Sequence, residues 1–338
     1  MKPDPKSNQL NRRQFLHRLT KAGVSITAAC AAGFWLHDTK GPPASIKKGA
    51  TPIQFDFSID GLGPKMSIIQ GEDRAATLRA ALKSLGGIET FINKGDRVLL
   101  KVNAAFATPA MLSATTHPAI VAEMAKLCFM AGAASVVVTD NPINDPTSCF
   151  TLTGIEEAAR STGAEVILPR QDLFTAMTLK DAKLIRSWPV LNKPFKDITK
   201  VIGMAPLKDH HRSGASMTMK NWYGLLGGRR NIFHQNINDI IMELAMMMKP
   251  TFVVLDATTT MMTNGPTGGS LSDLKDTHTM IVSTDQVAAD AFGASFLGRS
   301  LDQLPFIGKA EAAGAGTADY RKLNPVMASI RKSPLEKQ

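Results

Sequence analysis

Cysteine is scarce in this chain: three in 338 residues, Cys30, Cys128 and Cys149, with no Cys-x-x-Cys pair. An iron–sulfur cluster is usually held by about four thiolates, so the count argues against a cluster held by this chain alone. The His-Glu-x-x-His zinc signature is missing, and so is the closing Gly-Lys-Ser/Thr of a Walker loop. Internal repeats are absent too. The apolar run Ala22 to Leu36 spans fifteen residues, rich in Ala, Gly, Ser and Thr. That is short of the roughly 20 that a membrane-crossing helix needs. A concentrated basic stripe is also lacking. The formal charge is +10, but residues 1–40 hold seven Lys or Arg against two acids, which is half of it. The remainder is near balance and gives no electrostatic case for nucleic acid as a partner.

What the N-terminus does contain is Asn11-Arg12-Arg13-Gln14-Phe15-Leu16-His17 ahead of that soft apolar run. Paired arginines, Phe and Leu two and three positions later, and a short hydrophobic segment read as a twin-arginine export signal. It departs from the strongest pattern in having Asn11 for Ser or Thr and His17 for Lys. The route exports proteins already folded, which makes the translocation machinery a partner and the periplasm the destination. Thr27-Ala28-Ala29-Cys30 is a poor lipoprotein box, so lipid anchoring at Cys30 is the weaker reading. The division expected is a signal over 1–38, a Gly/Pro/Lys linker over 39–56, a domain over 57–325 and a flexible tail over 326–338. Cys128 falls in the apolar pattern of a helix and reads as a buried small hydrophobe. An oxidising compartment permits a Cys128–Cys149 disulfide.

Hydrophobic periodicity alternates strands with helices. Strands are expected over Lys65–Gln70, Asp96–Val102, Ser135–Thr139, Glu165–Leu168, Thr199–Met204, Thr251–Leu255 and Thr279–Ser283. Helices are expected over Arg74–Leu85, Pro118–Ala131, Ile155–Thr162, Asn238–Met248 and Gln286–Leu297. Continuous Val/Ile/Leu strands between helices of 10–15 residues imply an α/β fold. The sheet should be mostly parallel, with helices on both faces in three layers, and division into two lobes is compatible with the length.

Ligands in such sheets sit beyond the carboxyl ends of the strands. Lys101 and Asn103 alternate with Val102 at one such end, Asp140 follows another, Lys208-Asp209-His210-His211 a third, and Asp256 closes a fourth. These residues match a family in order. Lys101-Val102-Asn103, Thr116-His117-Pro118, Asp140, Lys208-Asp209-His210, Lys220-Asn221-Trp222-Tyr223-Gly224, Arg230 with His234, Asp256, Gly265-Pro266, and Asp285 followed by Asp290 are the matching motifs. From about Lys65 to Gly298 the chain resembles the prokaryotic family called domain of unknown function 362. The resemblance implies no secure activity. Some relatives carry ferredoxin-type cysteine clusters, which this chain lacks.

Lys208, His210, Lys220, Asn221, Arg229, Arg230 and His234 fall within 27 residues whose only acid is Asp209. Basic donors beside Gly224, Gly227 and Gly228 suit a carboxylate or phosphate. The competing reading is a solvated basic loop. Thr116 as N-cap and Pro118 at the first helical position explain that motif structurally, which leaves His117 at an anion-binding helix start. Asp285 is a natural N-cap for the helix after it, and the methionines at 242, 246, 247 and 248 read as core. Asp140, His210 and Asp256 are the candidate acid/base groups; as a set they offer a divalent metal non-local ligands only, so metal and cofactor stay open. The candidate ligand contacts are Lys101, Asn103, His117, Lys208, Lys220, Asn221, Arg230, His234 and Gly265. Two functions stay open: an exported enzyme acting on a small anion, or a non-catalytic accessory protein serving maturation of an exported iron–sulfur redox enzyme, with a redox protein as partner.

Overall fold

Val98, Leu100, Val136, Val138, Ile202 and Val254 point to one side of a sheet, and Leu99, Val201, Val253 and Leu255 to the other. Both sides are apolar because both are covered, which is why the strands read as unbroken hydrophobic runs rather than alternating ones. In the computed structural model, residues 12–21, 24, 51–53 and 55–330 are described. The chain divides into two units, Met1–Ser45 and Ile46–Gln338. In the first, residues 12–21 form a helix with exposed side chains, Arg12 and Arg13 among them. Asn11 and most of the apolar run lie outside the described residues.

The second unit is built on a sheet ordered Val326–Ser329, Met66–Gln70, Leu274–Ser283, Phe252–Met261, Lys200–His210, Arg97–Lys101, Ser135–Thr139, Glu165–Ile167. All of these run in one direction except Leu274–Ser283, which is antiparallel to both neighbours. The helices Arg74–Ser84, Pro118–Met130 and Ile155–Arg160 cover one face. Ile237–Met247, Gln286–Gly293 and Pro305–Ala312 cover the other. This is the three-layer α/β/α arrangement expected from the periodicity. No helix among the described residues is long and apolar enough to cross a membrane.

Four expectations need correction. The strand expected to end at Met204 continues to His210 and turns back through Gly214–Ser216, so Lys208 and His210 are strand residues. The strand expected to end at Leu255 runs to Met261, which puts Asp256 in its middle. Residues 326–329 are not a flexible tail but the edge strand, paired in parallel with Met66–Gln70. Within the supposed linker, Thr51–Ile53 and Phe55–Asp56 are short strands that pair with Phe174–Leu179 and Met248–Lys249. A small sheet of Thr51–Ile53, Phe174–Leu179 and Trp188–Leu191 was not legible as strands. It is tied to the helix behind it by Glu243, whose buried carboxylate accepts the backbone N–H groups of Lys183, Leu184 and Ile185. Cys128 and Cys149 are both buried and free, not paired. Burial pushes their thiols up to about 12 and about 11, so both are unreactive.

Candidate functional site

The carboxyl ends of three adjacent strands, Arg97–Lys101, Ser135–Thr139 and Lys200–His210, are bridged by the short helix Thr218–Asn221 and the turn Trp222–Leu225. The bridge is anchored at both ends. Asn221 Nδ2 donates to Lys101 O and Met204 O, each at 3.2 Å, and Trp222 Nε1 donates to Gln286 Oε1 at 2.6 Å. The Trp222 ring lies over Gly203, where an added Cβ would meet it at 2.8 Å. The turn then passes so close to the strand ends that a Cβ on Gly224 would sit 1.9 Å from Asp140 Oδ1.

Under this turn is a buried ion pair. Lys101 Nζ lies 2.7 Å from Asp140 Oδ1 and donates to Val102 O at 2.7 Å and Asn221 O at 2.8 Å. Asp140 Oδ2 accepts Ala104 N–H at 2.7 Å. Burial pulls the Lys101 pKa down and Asp140 pulls it back. Both groups are therefore engaged. Lys101 is not a ligand clamp and Asp140 is not a free base; the pair fixes the floor of a cavity.

That cavity, of about 310 Å³, is lined by eight of the twelve expected residues: Asn103, Asp140, Lys208, His210, Lys220, Asn221, Arg230 and His234. Lys208 Nζ donates to Ala114 O and lies 5.1 Å from the centre of the Phe106 ring. Lys220 Nζ lies 5.0 Å from the centre of the Tyr223 ring. Burial pulls each ammonium down to about 7; the Lys220 charge adds to this at Lys208, and the Arg230 charge at Lys220. Arg230 directs its terminal nitrogens to four backbone carbonyls, those of Tyr223, Leu226, Asn141 and Pro142. It supplies fixed positive charge rather than a free bidentate fork. The buried Oδ1 of Asn103 has no hydrogen-bond partner.

Three imidazoles stack along one wall. His210 is 5.1 Å from His211 and 5.9 Å from His234 between ring centres, with planes within 10°. His210 Nδ1 accepts backbone N–H from Arg212 and Ser213 at 3.2 and 3.3 Å. The proton of the neutral ring is thereby assigned to Nε2. His234 is opposite in sense. Its Nδ1 faces Asn231 O at 3.1 Å and Tyr223 Oη at 3.2 Å, and that hydroxyl itself donates to Arg230 O, so Nδ1 carries the proton and Nε2 is bare. Burial and the Lys220 charge hold both rings neutral, with Lys208 adding to the effect on His210. One imidazole thus presents a donor and the other an acceptor.

Three of the twelve lie elsewhere. Asp256 pairs with Arg74 at 3.0 Å, its Oδ1 accepts Thr258 N–H at 2.8 Å, and it does not line the cavity. His117, not Thr116, caps its helix, with Nδ1 accepting Ala119 N–H at 3.2 Å. Burial and the Arg74 charge keep it neutral. Thr116 donates instead to Met204 O. Gly265 packs on Asp209, where an added Cβ would meet the carbonyl oxygen at 1.9 Å, and the cavity is reached by its neighbours Pro266 and Thr267. Asp140, His210 and Asp256 are therefore not one metal site. Among the described residues no three His, Cys, Asp or Glu side chains are grouped to hold a metal ion. Phe106 and Tyr223 line the cavity without having been expected; Tyr223 sits inside a matched motif, whereas Phe106 carried no signal.

Comparison with known proteins adds a family but no reaction. The family described as "Domain of unknown function (DUF362)" matches residues 98–295. A thylakoid-associated protein of Synechocystis sp. is 24% identical over 263 residues, covering 75% of this chain and 77% of that protein. Among solved structures, lactate racemase apoprotein from Thermoanaerobacterium thermosaccharolyticum is 12% identical with a TM-score of 0.38. A Thermotoga maritima protein solved by a structural genomics consortium is 10% identical with a TM-score of 0.36. The match covers 72% of this chain in both cases, and 61% and 60% of those two chains.

Proposed function

The chain belongs to the domain of unknown function 362 family, and from that premise, which names no reaction, we propose that it binds a small carboxylate or phosphate in the strand-end cavity and acts on it by acid–base chemistry. What supports the reading is the charge imbalance of the lining. Lys208, Lys220 and Arg230 face the cavity, and the one carboxylate among the described residues that line it, Asp140, is already paired with Lys101. Cations held close together without counter-ions lower one another's pKa, and an anion relieves that repulsion. The unpartnered Asn103 amide supplies a neutral contact for it.

In this reading Lys220, with a pKa of about 7, meets the anion as an ammonium and is the proton donor. His210 donates from Nε2 and Arg230 holds the field. Of the acid/base role expected of His210 from sequence, this reading keeps only hydrogen-bond donation, because burial keeps the ring neutral. We also propose that the twin-arginine segment directs export of the folded protein to the periplasm.

Calorimetric titration with inorganic phosphate at pH 6.5 tests the anion site. The wild-type chain is expected to bind, and Lys220→Met to bind at least about tenfold more weakly, the order of one charge-assisted hydrogen bond. Thermal unfolding of both proteins checks that the variant is folded. No binding by the wild type, or equal binding by a folded variant, would overturn the proposal.

A further inference from the structure

The cavity does not end at its basic wall. A second chamber of about 620 Å³ adjoins it and shares Asn141, Ile143, Tyr223, Arg230 and His234 with the first. The character of the lining changes across that boundary. Beyond it the walls are the rings of Phe174, Pro142 and Pro189, with Gln171 and Asn231 as neutral polar groups. Among the described residues, Arg230, at the junction, is the only Lys or Arg on the wall, and no Asp or Glu lines it.

Two of these rings pack directly on glycine backbone. A Cβ on Gly227 would meet the Phe174 ring at 2.7 Å, and Gly228, at φ +59°, lies under Pro189. The chain reaches this shape by crossing from the strand-end bridge to the small sheet that carries Phe174 and Pro189. The backbone bond Gly227 N–H to Pro189 O, at 2.8 Å, joins the two.

A lone carboxylate or phosphate would leave the larger chamber to water. Resting on the anion-site reading above, we infer that the ligand is a single anionic head group joined to a neutral, ring-shaped body, the head among Lys208, Lys220 and Arg230 and the body in the outer chamber against Phe174, Pro142 and Pro189. A second anionic group on the body would find, among the described residues, no Lys or Arg on that wall beyond Arg230, which the head already engages. A flat, neutral body would find the apolar rings of Phe174, Pro142 and Pro189 there.

The full-length protein and its Gln171→Trp variant, each titrated with inorganic phosphate and with phenyl phosphate, test this. Gln171 is exposed, so a Trp there fills the outer chamber without entering the core. Phenyl phosphate is expected to bind wild type at least about tenfold more tightly than inorganic phosphate, from burial of the ring. Gln171→Trp should erase that gain and leave inorganic phosphate within about twofold. Equal wild-type affinities for the two probes overturn the inference, as does a variant that weakens both equally. Wild type that binds neither probe overturns the anion site itself, an outcome distinct from binding phosphate with no gain from the ring.

Discussion

Lys208 and Lys220 share a cavity, and each loses its proton near pH 7 because burial removes the water that would stabilise its charge. Anion affinity should therefore be highest below pH 7 and fall as pH rises through it, when the ammonium groups become neutral. Calorimetry with phosphate between pH 5.5 and 8.5, corrected for the anion's own titration, should show this fall, and Lys220→Met should flatten it. A pH-independent affinity would count against lysine as the recognition charge. At this scale the sequence disclosed residue types well and roles poorly. Lys101, Lys208 and Lys220 all read as clamps, yet Lys101 is enclosed by Asp140, Val102 O and Asn221 O and only the other two face open space. Nothing in a one-dimensional pattern distinguishes an ammonium that meets a ligand from one that meets backbone carbonyls.

At the scale of elements, the bridge that carries Lys220 depends on two buried carboxylates. Beneath the turn, a Cβ on Gly224 would lie 1.9 Å from Asp140 Oδ1 and 2.8 Å from Lys101 Nζ. Gly224→Ala must therefore part that pair or lift the turn. Breaking a buried ion pair costs about 3–5 kcal/mol, so chemical denaturation should show a loss of that order and phosphate binding should go with it. Unchanged stability would mean that the turn has slack. Behind the bridge, Asp290 Oδ1 accepts Thr218 N–H at 2.8 Å and the Thr218 hydroxyl at 2.5 Å, while Oδ2 accepts Met219 N–H at 3.1 Å. Burial raises its pKa from 3.8 to about 7 in spite of these bonds. Between those values the folded state keeps a proton that the unfolded state has lost. The stability it contributes is thus complete below 3.8 and declines until about pH 7. Asp290→Asn cannot titrate, so urea unfolding should show the variant gaining on wild type between pH 5 and pH 8; a constant difference would refute the assignment. The five helices expected from periodicity are present, whereas Pro146–Leu152, Thr218–Asn221 and Pro305–Ala312 were not expected. The strand ends were not legible. Lys208, His210 and Asp256 are polar residues inside strands, and polarity was read as the end of the element. That placed Asp256 at a strand end open to a ligand, whereas it lies mid-strand and is held by Arg74 of the helix packed on that face.

At the scale of the whole molecule, the sheet is completed by contacts between distant parts of the chain. Val326–Ser329 pairs with Met66–Gln70, and Leu274–Ser283 pairs with the same strand on its other side. These long-range pairings require nearly all of the chain to be present before the edge closes. Closing it requires no oxidant, because Cys128 and Cys149 are free, buried and unreactive. Such a fold can be completed where it is made and carried across a membrane afterwards, which is the service a twin-arginine signal requests. Replacing Arg12 and Arg13 by Lys is then expected to leave the protein folded but retained in the cytoplasm. The wild-type chain should appear in the periplasmic fraction of the same host. Fractionation followed by immunoblotting reads the outcome, with a cytoplasmic marker to control for leakage. Equal periplasmic amounts of wild type and the Lys–Lys variant would remove the twin-arginine route, and absence of both from the periplasm would remove export.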